Sequence, residues 1–304
     1  MKKITGLLLV LGGLVQLNAQ YQKEKQLEYI KVLASDEMEG RAFGTEGGKK
    51  AAEYIAANFK SNKLKPCVGN SYLIEFEHKG KTGYNVCGLK VGKSDEVIAF
   101  GGHFDHVGNH GKGEDKVFNG ADDNASGTSA VMALADYYAK KKNPKTVMFI
   151  AFDAEEVGLI GSGKLVENSD FAAYLPKMEV MYNLEMIGTE SAFGKGKVYM
   201  TGSDRSDLMD LMNANSSSTF SVNKDPYLAQ NLFMRSDNVH FYKKGVVSHA
   251  LSSVNMETAK HYHQPGDEFS IIDAENVTMI TAGLAEVTEK MMKKKIKPTY
   301  STQK

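Results

Sequence analysis

The chain has no excess of charge, little cysteine, little proline and no long apolar run past its first twenty residues. Lys+Arg and Asp+Glu stand at 37 each in 304 residues. That balance excludes a global field drawing in nucleic acid or an anionic membrane, so function has to come from local groups. The two cysteines, Cys67 and Cys87, fall in no thiolate metal pattern and in no nucleophile pattern. Read from the residues alone, they are equally a disulfide of an exported protein or two buried thiols. Six prolines, no internal repeat and no low-complexity stretch leave no linker inside residues 21–296. One domain is expected there, with residues 297–304 as a frayed tail.

The first twenty residues stand apart. Lys2 and Lys3 precede an apolar stretch from Leu7 to Leu17, which ends in Asn18-Ala19-Gln20. A basic start, a short apolar centre and a small residue at the exit read as a secretory signal peptide. The stretch is about half the ~20 residues needed to span a bilayer, and no cysteine follows it to carry a lipid. The expectation is export to the periplasm or beyond the cell, with no stable membrane anchor.

Periodicity supplies the architecture. Ala51, Ala52, Ile55 and Phe59 recur at helical spacing and predict a helix over 47–62. Val97–Phe100 and Thr146–Phe152 are short apolar runs rich in β-branched and aromatic residues, the signature of buried strands. Between them, Val131, Leu134, Ala135 and Tyr138 predict a crossover helix over 126–140. Further strands are predicted at 179–184, 197–200 and 246–251, and further helices at 204–216 and 274–294. This alternation predicts an α/β fold: three layers, α/β/α, around a mixed, largely parallel central sheet.

Four segments set ligand-type side chains just after predicted strands, where sites form in open α/β sheets. They are Gly101-Gly102-His103-Phe104-Asp105-His106, Asn119-Gly120-Ala121-Asp122-Asp123-Asn124, Asp153-Ala154-Glu155-Glu156 and Asn183-Leu184-Glu185. Singly, each has a bland reading: a hydrogen-bonded loop histidine, a helix cap, an exposed acidic pair. Together they leave apolar strands ending repeatedly in oxygen and nitrogen donors without thiolates. That donor set suits Zn²⁺, with Mn²⁺ or Co²⁺ as substitutes. Two adjacent glutamates also meet a chemical need, since one can bind metal while the other serves as general base toward water.

These segments resemble the co-catalytic di-zinc aminopeptidases, the family of aminopeptidase Y and bacterial leucyl aminopeptidases, whose relatives include glutamate carboxypeptidases and glutaminyl cyclases. The resemblance runs from about Leu33 to Asp273 and begins with Leu33-Ala34-Ser35-Asp36-Glu37-Met38-Glu39-Gly40-Arg41. It implies two zinc ions and peptide substrates with a free N-terminus. It implies His103, Asp123, Glu156, Glu185 and His263 as ligands, with Asp123 bridging. Glu155 matches the general base, Asp105 the carboxylate that orients His103, and Tyr262 a donor to the developing oxyanion. His263 is carried by Tyr262-His263-Gln264-Pro265-Gly266-Asp267, which resembles a Tyr-His-x-Pro-x-Asp segment.

Two positions depart from the commoner pattern. Glu185 stands where most relatives carry aspartate, and Asn238 where Arg235-Ser236-Asp237-Asn238 resembles Arg-Ser-Asp-His. Arg235 is read as a substrate contact. The six other histidines, His106, His240, His261, His78, His110 and His249, are read as supporting or bystander residues. The rival readings are a carboxypeptidase or dipeptidase with the same site, a single-zinc glutaminyl cyclase, and a non-catalytic binding module.

Overall fold

The apolar runs become neighbouring strands of one sheet. The computed structural model describes residues 23–109, 113 and 115–301, so the expected signal peptide at 1–20 lies outside the described residues. In chain order the elements are α1 (23–33), α2 (Glu46–Ser61), β1 (Lys65–Pro66), β2 (Leu73–His78), β3 (Lys81–Lys90) and β4 (Ser94–His103). A short pair, β5 (Gly108–Asn109) and β6 (Val117–Phe118), precedes α3 (Gly127–Ala139), β7 (Lys145–Phe152), α4 (Ile160–Glu167), α5 (Ser169–Ala172) and β8 (Met178–Leu184). Then come β9 (Lys197–Met200), α6 (Leu208–Asn213), β10 (Ser221–Lys224), α7 (Asn238–Lys243), β11 (Val247–Ser252) and α8 (Ala274–Lys294).

The main sheet has nine strands in the order β1-β3-β7-β4-β8-β11-β9-β10, with β2 paired to β3. Its central strands β7, β4, β8 and β11 are mutually parallel, while β1, β2 and β3 join antiparallel. The sheet is therefore mixed and largely parallel at its centre, as expected. Alternation along β7 explains the layers. Val147, Phe149 and Ala151 face one core with residues of α1, α2, α3 and α8. Met148, Ile150 and Phe152 face a second core with Leu165, Phe171 and Phe241. Because the central strands run the same way, their carboxyl ends share one edge, and the candidate ligands sit there.

Two local readings needed correction. The helix predicted over 204–216 is only Leu208–Asn213, because Asp207 turns its carboxylate to the Thr299 amide and hydroxyl. Those same bonds, with Tyr300 Oη donating to the Val246 carbonyl, tie down residues 299–301, which were expected to fray. The β2–β3 hairpin and edge strand β10 were not anticipated. No helix among the described residues is long and apolar enough to cross a membrane.

Cys67 and Cys87 form a disulfide, their Cα atoms 5.5 Å apart and 20 residues apart in sequence. Closing a loop of that length stabilises the native state by about 3 kcal/mol in the chain-entropy view. Reduction is therefore expected to lower Tm by roughly 5–10 °C while leaving turnover at 25 °C unchanged, since the bond lies away from the strand ends. Melting curves with and without dithiothreitol check this.

Candidate metal centre

His103 is the last residue of β4, and Glu185 the first beyond β8. Glu155 and Glu156 follow β7 by a few residues, Asp123 lies in the irregular turn Ala121–Ser126 before α3, and His263 stands in the loop between β11 and α8. Close backbone approach makes this convergence possible. A Cβ on Gly127 would lie 2.3 Å from the Leu184 carbonyl, so only glycine lets the start of α3 meet the end of β8.

The donors form two triads that share one carboxylate. His103 Nε2 lies 3.1 Å from Glu185 Oε1 and 3.4 Å from Asp123 Oδ1. His263 Nε2 lies 3.0 Å from Glu156 Oε2 and 3.2 Å from Asp123 Oδ2. Ligand bonds of 2.0–2.1 Å at tetrahedral angles set donor atoms about 3.3 Å apart, so both triads have the span of a zinc-sized ion. His263 Nε2 is moreover buried with no hydrogen-bond partner, although two carboxylate oxygens face it. An ion between them would satisfy it. Glu185, despite its extra methylene, reaches the same distance from His103 that this span requires.

Supporting bonds fix each loop. Asp267 accepts from the Asp122 and Asp123 amides at 2.7 and 2.9 Å. Asn124 bonds the Leu184 carbonyl and the Gly127 and Met186 amides. Asp105 was expected to orient His103 through its carboxylate. Its nearest contact to His103 Nδ1 is instead the main-chain oxygen at 3.1 Å, with the carboxylate at 3.6 Å. That carboxylate accepts from the Glu155 and Glu156 amides at 3.0 and 3.2 Å, so it holds the glutamate turn. Ser236, which sequence reasoning passed over, donates to Glu185 Oε2 at 2.6 Å and accepts from Asn183 at 2.6 Å. Three residues in or beside the ligand set, Ala154, Met186 and His263, hold left-handed backbone with φ of 59°, 45° and 52°. Such conformations persist where surrounding structure over-determines them, which is typical of functional sites.

The electrostatics divide the carboxylates. Burial pushes Glu155 well above the usual carboxylate range, with Glu185, Asp237 and Glu156 adding to the rise and His103 opposing it. Burial acts the same way on Asp123, yet the facing imidazoles of His103 and His263 win and hold it well below that range. The facing carboxylates of Asp123 and Glu156 raise His263 to about 10. Burial likewise raises Tyr262, whose ring stacks on His263 at 4.0 Å. Glu155 is thus held high while Asp123 is held low.

Comparison with known proteins decides what this arrangement belongs to. Residues 85–288, about two thirds of the chain, match peptidase family M28. The chain belongs to that family. Aminopeptidase YwaD of Bacillus subtilis (strain 168) is 28% identical over 227 residues, covering 71% of this chain and 47% of that protein. Leucine aminopeptidase 2 of Arthroderma otae is 28% identical over 265 residues, 79% of this chain and 50% of its own length. The chain thus spans about half the length of these two relatives. Among solved structures, the aminopeptidase from Aneurinibacillus sp. strain AM-1 superposes with a TM-score of 0.67 at 17% identity, covering 88% of this chain and 93% of that one.

Two further features of this M28 chain bear on the site. His106, read as a supporting or bystander residue, is buried with Nδ1 3.0 Å from Glu156 Oε1 and 3.8 Å from Asp123 Oδ2. It groups with Asp123, Glu156 and His263 closely enough for all four to approach one ion. The only signal was its place three residues beyond His103 on the same loop. The second feature is a pocket that opens on the ligands. Met186, Tyr199, Leu232, Val254 and Met256 give it an apolar wall, and Tyr262 and Arg235 also line it. The remaining described histidines stay outside the triads. His261 bonds Asp122, His249 bonds Ser206 and Thr201, and His110 lies outside the described residues.

Proposed function

We propose that the chain is an aminopeptidase that removes N-terminal residues from peptides with two zinc ions. His103, Asp123 and Glu185 hold one; Asp123, Glu156 and His263 hold the other. The observation that carries this reading is the pair of triads meeting on Asp123, with a separate half-buried glutamate beside them. Zinc at such sites polarises the scissile carbonyl and eases deprotonation of water, and the same donors accept Mn²⁺ or Co²⁺. Glu155 takes the proton from the attacking water and returns it to the leaving amine, a task suited to a carboxylate whose proton affinity burial raises. Tyr262 donates to the oxygen on which charge develops. The carboxylate-rich wall draws in a protonated amine, which selects chain ends, and the apolar wall favours an apolar first side chain.

His106 supports rather than coordinates. Glu156 presents Oε2 to His263 and Oε1 to His106, and a fourth protein ligand would close the position a catalytic zinc keeps open. Replacing a group that orients a ligand in this way costs 10–100-fold in metal affinity. His106→Ala is therefore expected to keep two zinc ions per chain while binding them 10–100-fold more weakly in competition with a chromophoric chelator. Outright loss of one ion would make His106 a ligand instead.

We propose export as well, and the disulfide supports it, because such bonds persist in oxidising compartments. A panel of aminoacyl-4-nitroanilides, each with and without N-acetylation, tests the peptidase reading. Hydrolysis of free-amine substrates alone is expected. Cleavage confined to C-terminal residues, or cyclisation of N-terminal glutamine, would replace it with another activity.

A further inference from the structure

Arg41 is fully buried, yet no carboxylate forms an ion pair with it among the described contacts. Its guanidinium instead donates to four main-chain carbonyls. Nε reaches Phe104 at 2.6 Å, Nη1 reaches Asn119 at 2.6 Å and Leu33, and Nη2 reaches Gly120 at 2.9 Å. Phe104 separates His103 from Asp105, and Asn119-Gly120 lead directly into the turn bearing Asp123. One side chain thus joins the end of α1 to both ligand loops.

The backbone is shaped to deliver it. Glu39, Gly40 and Arg41 hold successive left-handed conformations, with φ of 52°, 65° and 50°. Gly40 admits no side chain, since a Cβ there would lie 2.6 Å from the Phe118 carbonyl and 2.7 Å from Gly108. The same turn also grips the Asp123 loop from another side. Asn119 Nδ2 donates to Asp36 at 2.7 Å and to Glu268 at 3.0 Å, and Glu268 adjoins the Asp267 that holds the Asp122 and Asp123 amides.

We propose that Arg41 is a positioning residue of the metal centre: its buried guanidinium clamps the His103 loop to the Asp123 loop and so fixes the span of the triad that these two residues share with Glu185. This rests on the two-zinc reading above. The clamp is also a charge. Burial lowers Arg41 to about 10, with Asp267, Asp123, Asp105 and Glu156 opposing the fall. It therefore stays cationic at neutral pH behind a group of carboxylates that would otherwise repel one another. Lysine keeps the charge but offers three donors at a single point, and cannot span four carbonyls as a planar fork does.

The test compares zinc affinity, by chelator competition, in wild type and Arg41→Lys, with far-UV circular dichroism to show that each is folded. The expected result is at least tenfold weaker binding in the variant. Unchanged affinity in a folded Arg41→Lys would overturn the proposal and leave Arg41 as a core tie only. Should the variant not fold, hydrogen exchange on wild type decides. Zinc is expected to slow exchange across 36–41, a turn with no ligand of its own, together with the ligand loops. Protection confined to the ligand loops would overturn the clamp. A wild type that takes up no zinc would instead defeat the two-zinc reading itself, which separates the two failures.

Discussion

Glu155→Gln is expected to take up zinc like wild type and to lose 10²–10⁴-fold in kcat, with KM changed by less than about threefold. The amide keeps the shape of the side chain but accepts no proton. Glu155 differs from its neighbours in environment. Burial and three nearby carboxylates push it up, whereas a hydrogen bond from His106 and the facing His263 imidazole hold the adjacent Glu156 below its ordinary value against burial and the Asp123 charge. The Glu155 and Glu156 amides are pinned to one Asp105 carboxylate, so the substitution does not free the turn. Metal content, KM and kcat measured on the same preparation separate the possibilities. Near-full turnover would end the assignment of Glu155 as base, and loss of zinc would make it a ligand.

Asp123→Asn should have the larger effect. Its two oxygens face different imidazoles, Oδ1 toward His103 and Oδ2 toward His263. An amide offers one oxygen and turns an N–H₂ group toward the other triad, where it repels a cation. Zinc content is expected to fall below two per chain and kcat/KM to drop by a factor on the order of 10³ or more. The neighbouring residue is the control. Asp122 is equally buried but accepts from the Gly188 amide, Thr189 and His261, contacts that point away from both triads. Asp122→Asn should lower Tm by several degrees, through about 1–3 kcal/mol of lost charged hydrogen bonding, and keep two zinc ions. Equal metal loss in the two variants would show that the turn, not the bridging oxygen pair, is what matters.

The reasons these residues could be read from sequence differ. The central strands were legible because β4 and β7 are unbroken apolar runs, and a strand buried on both faces has little choice of residue. The long helix Ala274–Lys294 was legible because apolar residues recur along one face of it at helical spacing. Edge strands were not: β10 carries Ser221-Val222-Asn223-Lys224, too short and polar to announce itself. The ligand set was carried by local motifs and by resemblance to a family, and the geometry brings those five residues together. What escaped were partners whose contacts leave no pattern. Ser236 acts through one hydroxyl and Arg41 through main-chain carbonyls that any sequence supplies. The Cys67–Cys87 pairing was likewise open, because two cysteines twenty residues apart say nothing about distance until β3 is placed.

The central claim is that two metal sites sharing Asp123 act as one catalytic unit on free amino termini. The most direct measurement is a zinc titration of chelator-stripped protein, following hydrolysis of a mixed pool of aminoacyl-4-nitroanilides. The account predicts that activity rises to a plateau at two equivalents of zinc per chain and that the N-acetylated pool stays inert throughout. A plateau at one equivalent, or cleavage of the blocked pool at a comparable rate, would contradict it.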